Sequence, residues 1–86
     1  MKIYNLRLEV KILKVEVKLY AFLRKNRNSK YLFDIEQGSA PNVLVSLVNI
    51  NLKDVKIVLV NGRVENMNFG LHEGDIVSFY PAIGGG

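Results

Sequence analysis

Between Leu13 and Ala21 every second residue is apolar: Leu13, Val15, Val17, Leu19 and Ala21, with Lys14, Glu16, Lys18 and Tyr20 between them. Period two is the repeat of a strand with one covered face. The odd positions therefore belong to a core, and Tyr20 points away from it. Upstream, Leu6, Leu8, Val10 and Ile12 keep the same period on even positions. The slip at Ile12-Leu13 implies a bulge or a break, because one residue reverses the face. No Gly, Pro or Asn stands there to mark a hairpin, so both stay open. Lys14–Ala21 reads as a central strand, and residues 1–13 as an N-terminal extension that adds a strand.

The rest of the chain follows in short elements. Arg24 to Lys30 is polar and reads as a surface loop. Tyr31–Glu36 is a second strand. Ser39 can cap a helix in which Pro41 fits the first turn, and Val43, Leu44, Leu47 and Val48 would share its apolar face. Asn49 to Asn51 end it. Lys56–Val60 is a strongly apolar strand with one or both faces covered. Asn61-Gly62 is the best hairpin signal, since both residues accept the positive φ of a type I′ turn. Arg63-Val64-Glu65 returns, Glu73-Gly74-Asp75 turns again, and Ile76–Tyr80 is the last strand. Strands followed by one helix and more strands predict an α+β roll, with the helix packed across a sheet of four to five strands.

A chain of 86 residues holds one domain. With no cysteine it has no disulfide framework, thiolate nucleophile or cysteine zinc site. No apolar run approaches the roughly 20 residues of a membrane span. The start, Met1 to Arg7, lacks the apolar block of a signal peptide, and the cytoplasm is the expected location. Charge is uneven: residues 1–30 hold nine of the twelve Lys/Arg against two acids, and residues 31–86 hold three against six. The basic first third is a surface for nucleic acid or an acidic partner, or simply a solvated edge with a lysine-rich loop.

Enzyme chemistry has little support. The one histidine, His72, lies by a turn and reads as solvated, and one histidine without cysteine excludes the usual metal spacings. The pairs Asp34/Glu36 and Glu73/Asp75 have no partner base and read as solvated charge. The end of the chain differs. After Pro81 come Ala82, Ile83 and then Gly84-Gly85-Gly86. A glycine tail is thin and adopts any φ, so it can thread a narrow channel and set a carboxylate beside a nucleotide in another protein. By itself such a run is more often a frayed end.

Two stretches carry a resemblance. Lys18-Leu19-Tyr20-Ala21-Phe22-Leu23-Arg24 resembles the opening strand and loop of the MoaD family. The segment from Leu71 through His72-Glu73-Gly74-Asp75 and Phe79-Tyr80-Pro81 to Ile83-Gly84-Gly85-Gly86 is similar to that family's ending. Val60-Asn61-Gly62-Arg63 resembles a turn shared with ThiS-like carriers. The similarity spans about Lys14 to Gly86. It implies a β-grasp (ubiquitin-like) domain over residues 14–83 with a glycine tail at 84–86. It further implies a sulfur carrier, not an enzyme, that serves molybdopterin or tungstopterin synthesis as the small subunit of a synthase.

By the same resemblance, the Gly86 carboxylate is adenylated by a MoeB/ThiF-like enzyme and becomes a thiocarboxylate. That enzyme uses ATP; the carrier binds no cofactor. Gly85 matches the second required glycine and Gly84 the variable residue before it. Tyr20, Tyr80, Pro81 and Ile83 match the partner-facing end. A MoaE-like large subunit and a sulfur donor are the other implied partners, and no membrane or nucleic acid is expected. Alternatives are a ubiquitin-like protein modifier, a ThiS-like thiamine-pathway carrier and, from another class, a basic nucleic-acid-binding or structural module. The extension before Lys14 has no counterpart in a minimal carrier.

Overall fold

The alternation that opens the chain forms a strand in the computed structural model, which describes residues 10–82. Strand β1 (Ile12–Leu19) buries Leu13, Val15, Val17 and Leu19. The slip at Ile12-Leu13 is neither a bulge nor a break, because pairing with the second strand runs unbroken through Ile12↔Glu36 and Leu13↔Ile35. Val10 and Ile12 are exposed instead. Register fixes which face is inside, and the even positions fall outside it. The rest of the N-terminal extension, Met1 to Glu9, lies outside the described residues.

The strand stops at Leu19. Ala21 has φ +54° and opens a 3-10 turn, Ala21–Arg24. Beyond it Arg27, in the loop read as solvated, reaches inward. Its guanidinium donates to the Val48 carbonyl at 3.2 Å and the Asn49 carbonyl at 2.7 Å. These carbonyls lie at the end of the helix, where backbone acceptors lack helical partners. One cation thus fastens the basic loop to the helix.

Strand β2 (Lys30–Glu36) runs antiparallel to β1. Helix α1 (Pro41–Leu47) begins with Pro41 in its first turn, but Ala40 holds the cap position. Ser39 is used in the turn before it, where its amide donates to Glu36 and its carbonyl accepts from Leu71. The buried helical side is Pro41, Leu44, Val45 and Val48, whereas Val43 and Leu47 are exposed. The expected apolar face was therefore rotated. Pro41 counts as a core residue, and the spacing from it is 0, 3, 4 and 7, that of one helical stripe.

After the 3-10 turn Leu52–Asp54 come β3 (Val55–Val60), β4 (Arg63–Glu65) and β5 (Ile76–Pro81). Asn61 at φ +53° and Gly62 at φ +85° join Val60 to its partner Arg63, as a type I′ turn requires. The sheet order is β2-β1-β5-β3-β4, with β1 parallel to β5 and the other neighbours antiparallel. Leu44 and Val45 of the helix join Val15, Val17, Val58, Val60, Val77 and Phe79 in one apolar cluster. The described residues thus form the expected α+β roll: a mixed five-stranded sheet with one helix on its inner face.

Candidate functional site

Val77 and Phe79 are fully buried, which turns Tyr80 to the outer sheet face. In β1 the buried Val17 and Leu19 do the same for Tyr20. Because β1 and β5 run parallel with Leu19 opposite Phe79, the next residue of each strand is a tyrosine and the two meet. Their rings stack with centroids 4.2 Å apart and planes 8° from parallel. The Tyr20 amide also donates to the Phe79 carbonyl at 3.3 Å, which continues the ladder past the end of β1. Hydrogen bonding to Tyr20, with a contribution from burial, holds the Tyr80 phenol above its ordinary value of 10.

The pair has apolar neighbours that periodicity alone had not marked. On β3 the register shifts between Val55, opposite Pro81, and Ile57, opposite Tyr80. Lys56 is the extra residue, and the irregularity sets an apolar side chain, not a lysine, beside the tyrosine. One row further on, Leu59 lies opposite both Ser78 and Val64. Ile57 is 43% exposed and Val64 73%. Tyr20, Tyr80, Ile57, Leu59 and Val64 thus form a contiguous aromatic and aliphatic area on the sheet face opposite the helix, the kind of patch that marks a docking surface. The signal lay in β3, where Ile57 and Leu59 alternate with Val58 and Val60, but the unbroken apolar run masked it.

Pro81 closes β5 as a buried residue opposite Val55. The strand therefore ends at the edge of this patch, one residue after Tyr80. Ile83, Gly84, Gly85 and Gly86 lie outside the described residues.

The acidic residues separate into two kinds. Asp34 pairs with Lys14 at 3.0 Å on the surface, which raises the lysine above its usual 10.5. Glu73 accepts from the Lys14 amide at 2.9 Å. Asp75, expected to be solvated, is 7% exposed. Its carboxylate accepts from Asn61 Nδ2 and from the His72 amide, both at 2.8 Å, while Asn61 Oδ1 accepts from the Ile76 amide at 2.9 Å. Asp75 is thus a structural acceptor that joins two turns. His72 itself is 80% exposed, with Nδ1 4.0 Å from Asp75. No described helix is long and apolar enough to cross a membrane.

No family model matches the sequence, and no curated protein matches it. Solved structures do. SAMP1 from Haloferax volcanii is similar with a TM-score of 0.69 at 19% identity, over 85% of this chain and 99% of that one. A putative molybdopterin converting factor subunit 1 from Pyrococcus furiosus gives 0.66 at 23%, over 83% and 99%. A chain in the complex of subunits 1 and 2 of the Helicobacter pylori molybdopterin-converting factor gives 0.55 at 24%, over 86% and 100%. The protein therefore has the ubiquitin-like β-grasp fold that these structures share.

Proposed function

We propose that this protein is a MoaD-like sulfur carrier that works through the carboxylate of Gly86. A carboxylate oxygen of Gly86 attacks the α-phosphorus of ATP in an activating enzyme, and pyrophosphate leaves. The acyl adenylate then has the leaving group that a free carboxylate lacks. Hydrosulfide released by a sulfur donor attacks the acyl carbon, AMP departs, and a thiocarboxylate remains. Nothing in this sequence of steps needs a cysteine in the carrier. Gly84 and Gly85 supply a thin, adaptable approach to the enzyme, and Tyr20, Tyr80 and Ile83 form the docking end, whereas Pro81, expected to face the partner with them, is buried and holds the end of β5 instead. The domain, expected over residues 14–83, takes in Ile12 and Leu13 of β1 as well; residues 84–86 act as its tail, and of the expected extension 1–13 only what precedes β1 stands outside it.

The observation that carries this reading is the stacked, outward Tyr20–Tyr80 pair at the point where β5 runs on toward the glycines. Likeness to a subunit found with a second subunit in Helicobacter pylori supports a large synthase partner and molybdopterin or tungstopterin as the destination of the sulfur. The cytoplasm is the compartment where that chemistry would run.

The test is incubation with ATP, a sulfur source and the host's activating enzyme, followed by fragmentation of the C-terminal peptide. ATP-dependent replacement of oxygen by sulfur localised to Gly86 is the expected result. Fragment ions are essential, since oxidation of Met1 or Met67 adds nearly the same mass as the exchange. Removal of Gly85-Gly86, or one residue added after Gly86, should abolish charging and leave the fold intact. An unmodified Gly86 under conditions that charge a control carrier would overturn the reading.

A second reading rests on the likeness to SAMP1, named a small archaeal modifier protein in another of its structures. The same adenylate would then pass to a lysine amine, forming an isopeptide. Mono-conjugates on lysines of other proteins would favour it.

A further inference from the structure

Beside Tyr20, on the side away from Tyr80's neighbours on β3, the outer face carries a depression of about 240 Å³. It is lined by Lys18, Leu19, Tyr20, Arg24, Ser29 and Lys30. Three cations are brought there by separate elements: Lys18 from β1, Lys30 from β2 and Arg24 from the 3-10 turn. Lys18 and Lys30 are opposite one another in the register, a placement of like charges that destabilises a sheet. Among the described residues the acid that pairs with one of them is Glu16, with Oε2 3.8 Å from Lys18 Nζ. Among the described residues, Arg24 and Lys30 make no ion pair. The pocket thus holds a surplus of positive charge that the fold itself leaves unmatched.

We propose that this pocket receives acidic side chains of a protein partner whose apolar residues sit on Tyr20, Tyr80 and Ile57. The proposal names the chemistry of the docking partner and rests on the carrier reading only for that partner's role. A protein fits better than a nucleic acid for three reasons. The cations gather in one small depression, not along the multi-nucleotide track that a backbone needs. Continuing along β2 the same face presents Glu36, which would repel phosphates, and Asp34, whose charge is already paired with Lys14. One face of Tyr20 is already occupied by Tyr80 and cannot take a base. On the other side the surface is apolar, and a partner offering carboxylates next to aliphatic groups matches both halves. Charge of this kind steers encounter and fixes orientation more than it adds affinity.

The isotopically labelled full chain would be titrated at low salt while its amide resonances are followed. Three probes serve: a blocked hexapeptide carrying two glutamates beside a phenylalanine, inorganic phosphate, and an oligothymidylate of about eight nucleotides. The peptide should shift the amides of Lys18, Tyr20, Ser29, Lys30 and Tyr80. Its affinity should fall at least about tenfold, or 1.4 kcal/mol, in Arg24→Glu/Lys30→Glu, fall less in Arg24→Gln/Lys30→Gln, and be unchanged in Lys53→Glu. Unaltered amide dispersion shows that the variants fold, and the glutamine pair serves if the reversal does not. Equal or tighter binding of phosphate or the oligonucleotide overturns the proposal. So does a peptide response that survives both double variants, or none from any probe. The titration uses neither ATP nor an activating enzyme, so its failure is distinct from a failure of Gly86 chemistry.

Discussion

The side-chain amide of Asn61 donates to the buried carboxylate of Asp75 at 2.8 Å, which holds the β3–β4 turn against the turn that precedes β5. The same carboxylate accepts from the His72 amide. Asp75→Ala would leave two donors without their acceptor, and each unsatisfied group costs about 1–3 kcal/mol. We expect a loss of about 3 kcal/mol in urea denaturation at neutral pH, with a smaller loss for Asp75→Asn, whose amide oxygen still accepts. A change within the error of the measurement would mean that the two turns are held by other contacts.

Gly62 and Gly70 separate backbone strain from space. A Cβ at either position meets nothing within 4 Å, but only Gly62 has positive φ, at +85°. Gly62→Ala should cost about 1 kcal/mol through the left-handed conformation alone. Gly70→Ala should be neutral or slightly stabilising, because it restricts the unfolded chain. Equal effects at the two sites would contradict the turn geometry.

The helix offers a direct check of its buried side. Leu44 is 0% exposed and Val43 40%. Leu44→Ala should lower stability by about 3 kcal/mol, and Val43→Ala should change it by less than about 1 kcal/mol. Comparable losses at both positions would restore the apolar face that periodicity first indicated, since that face held Val43 and Leu44 together.

Alkaline titration tests the tyrosine pair. Tyr80 is raised in the fold by its hydrogen bond to Tyr20. A raised folded value means that stability is fully present below the unfolded value of 10 and falls as pH rises through the folded one. Lys14, raised beside Asp34, acts in the same direction from 10.5 upward. Tyr80, followed by its ring carbon resonance, should ionise above 10 in the wild type and return toward 10 in Tyr20→Phe. An identical midpoint in the variant would show that Tyr20 does not set it.

Much of the sheet was legible because period two survives translation into structure: Leu13 to Leu19 named the inner face of β1, and Asn61-Gly62 named its own turn. The outward tyrosines followed from the same parity. What was not legible depended on contacts remote in sequence. The face of a helix as short as Pro41–Leu47 is decided by what it packs on, since few turns are available to average the pattern. The burial of Asp75 needs Asn61, fourteen residues away. Arg27 became a clamp only because the helix end lies beside its loop, and Lys18 and Lys30 became one pocket only through strand register.

The position of β5 between β1 and β3 has a consequence for how the chain comes off the ribosome. Glu16 is matched with Ile76, so the middle of the sheet is closed by a pairing that spans most of the molecule. Contacts of this kind raise contact order and slow folding. A nascent chain that has not yet released residues 76–81 has β1 and β3 with vacant flanks and lacks Phe79 at the heart of its core. Tyr20 and Tyr80 can stack only once β5 has paired with β1, so the stack itself reports that the centre of the sheet has closed.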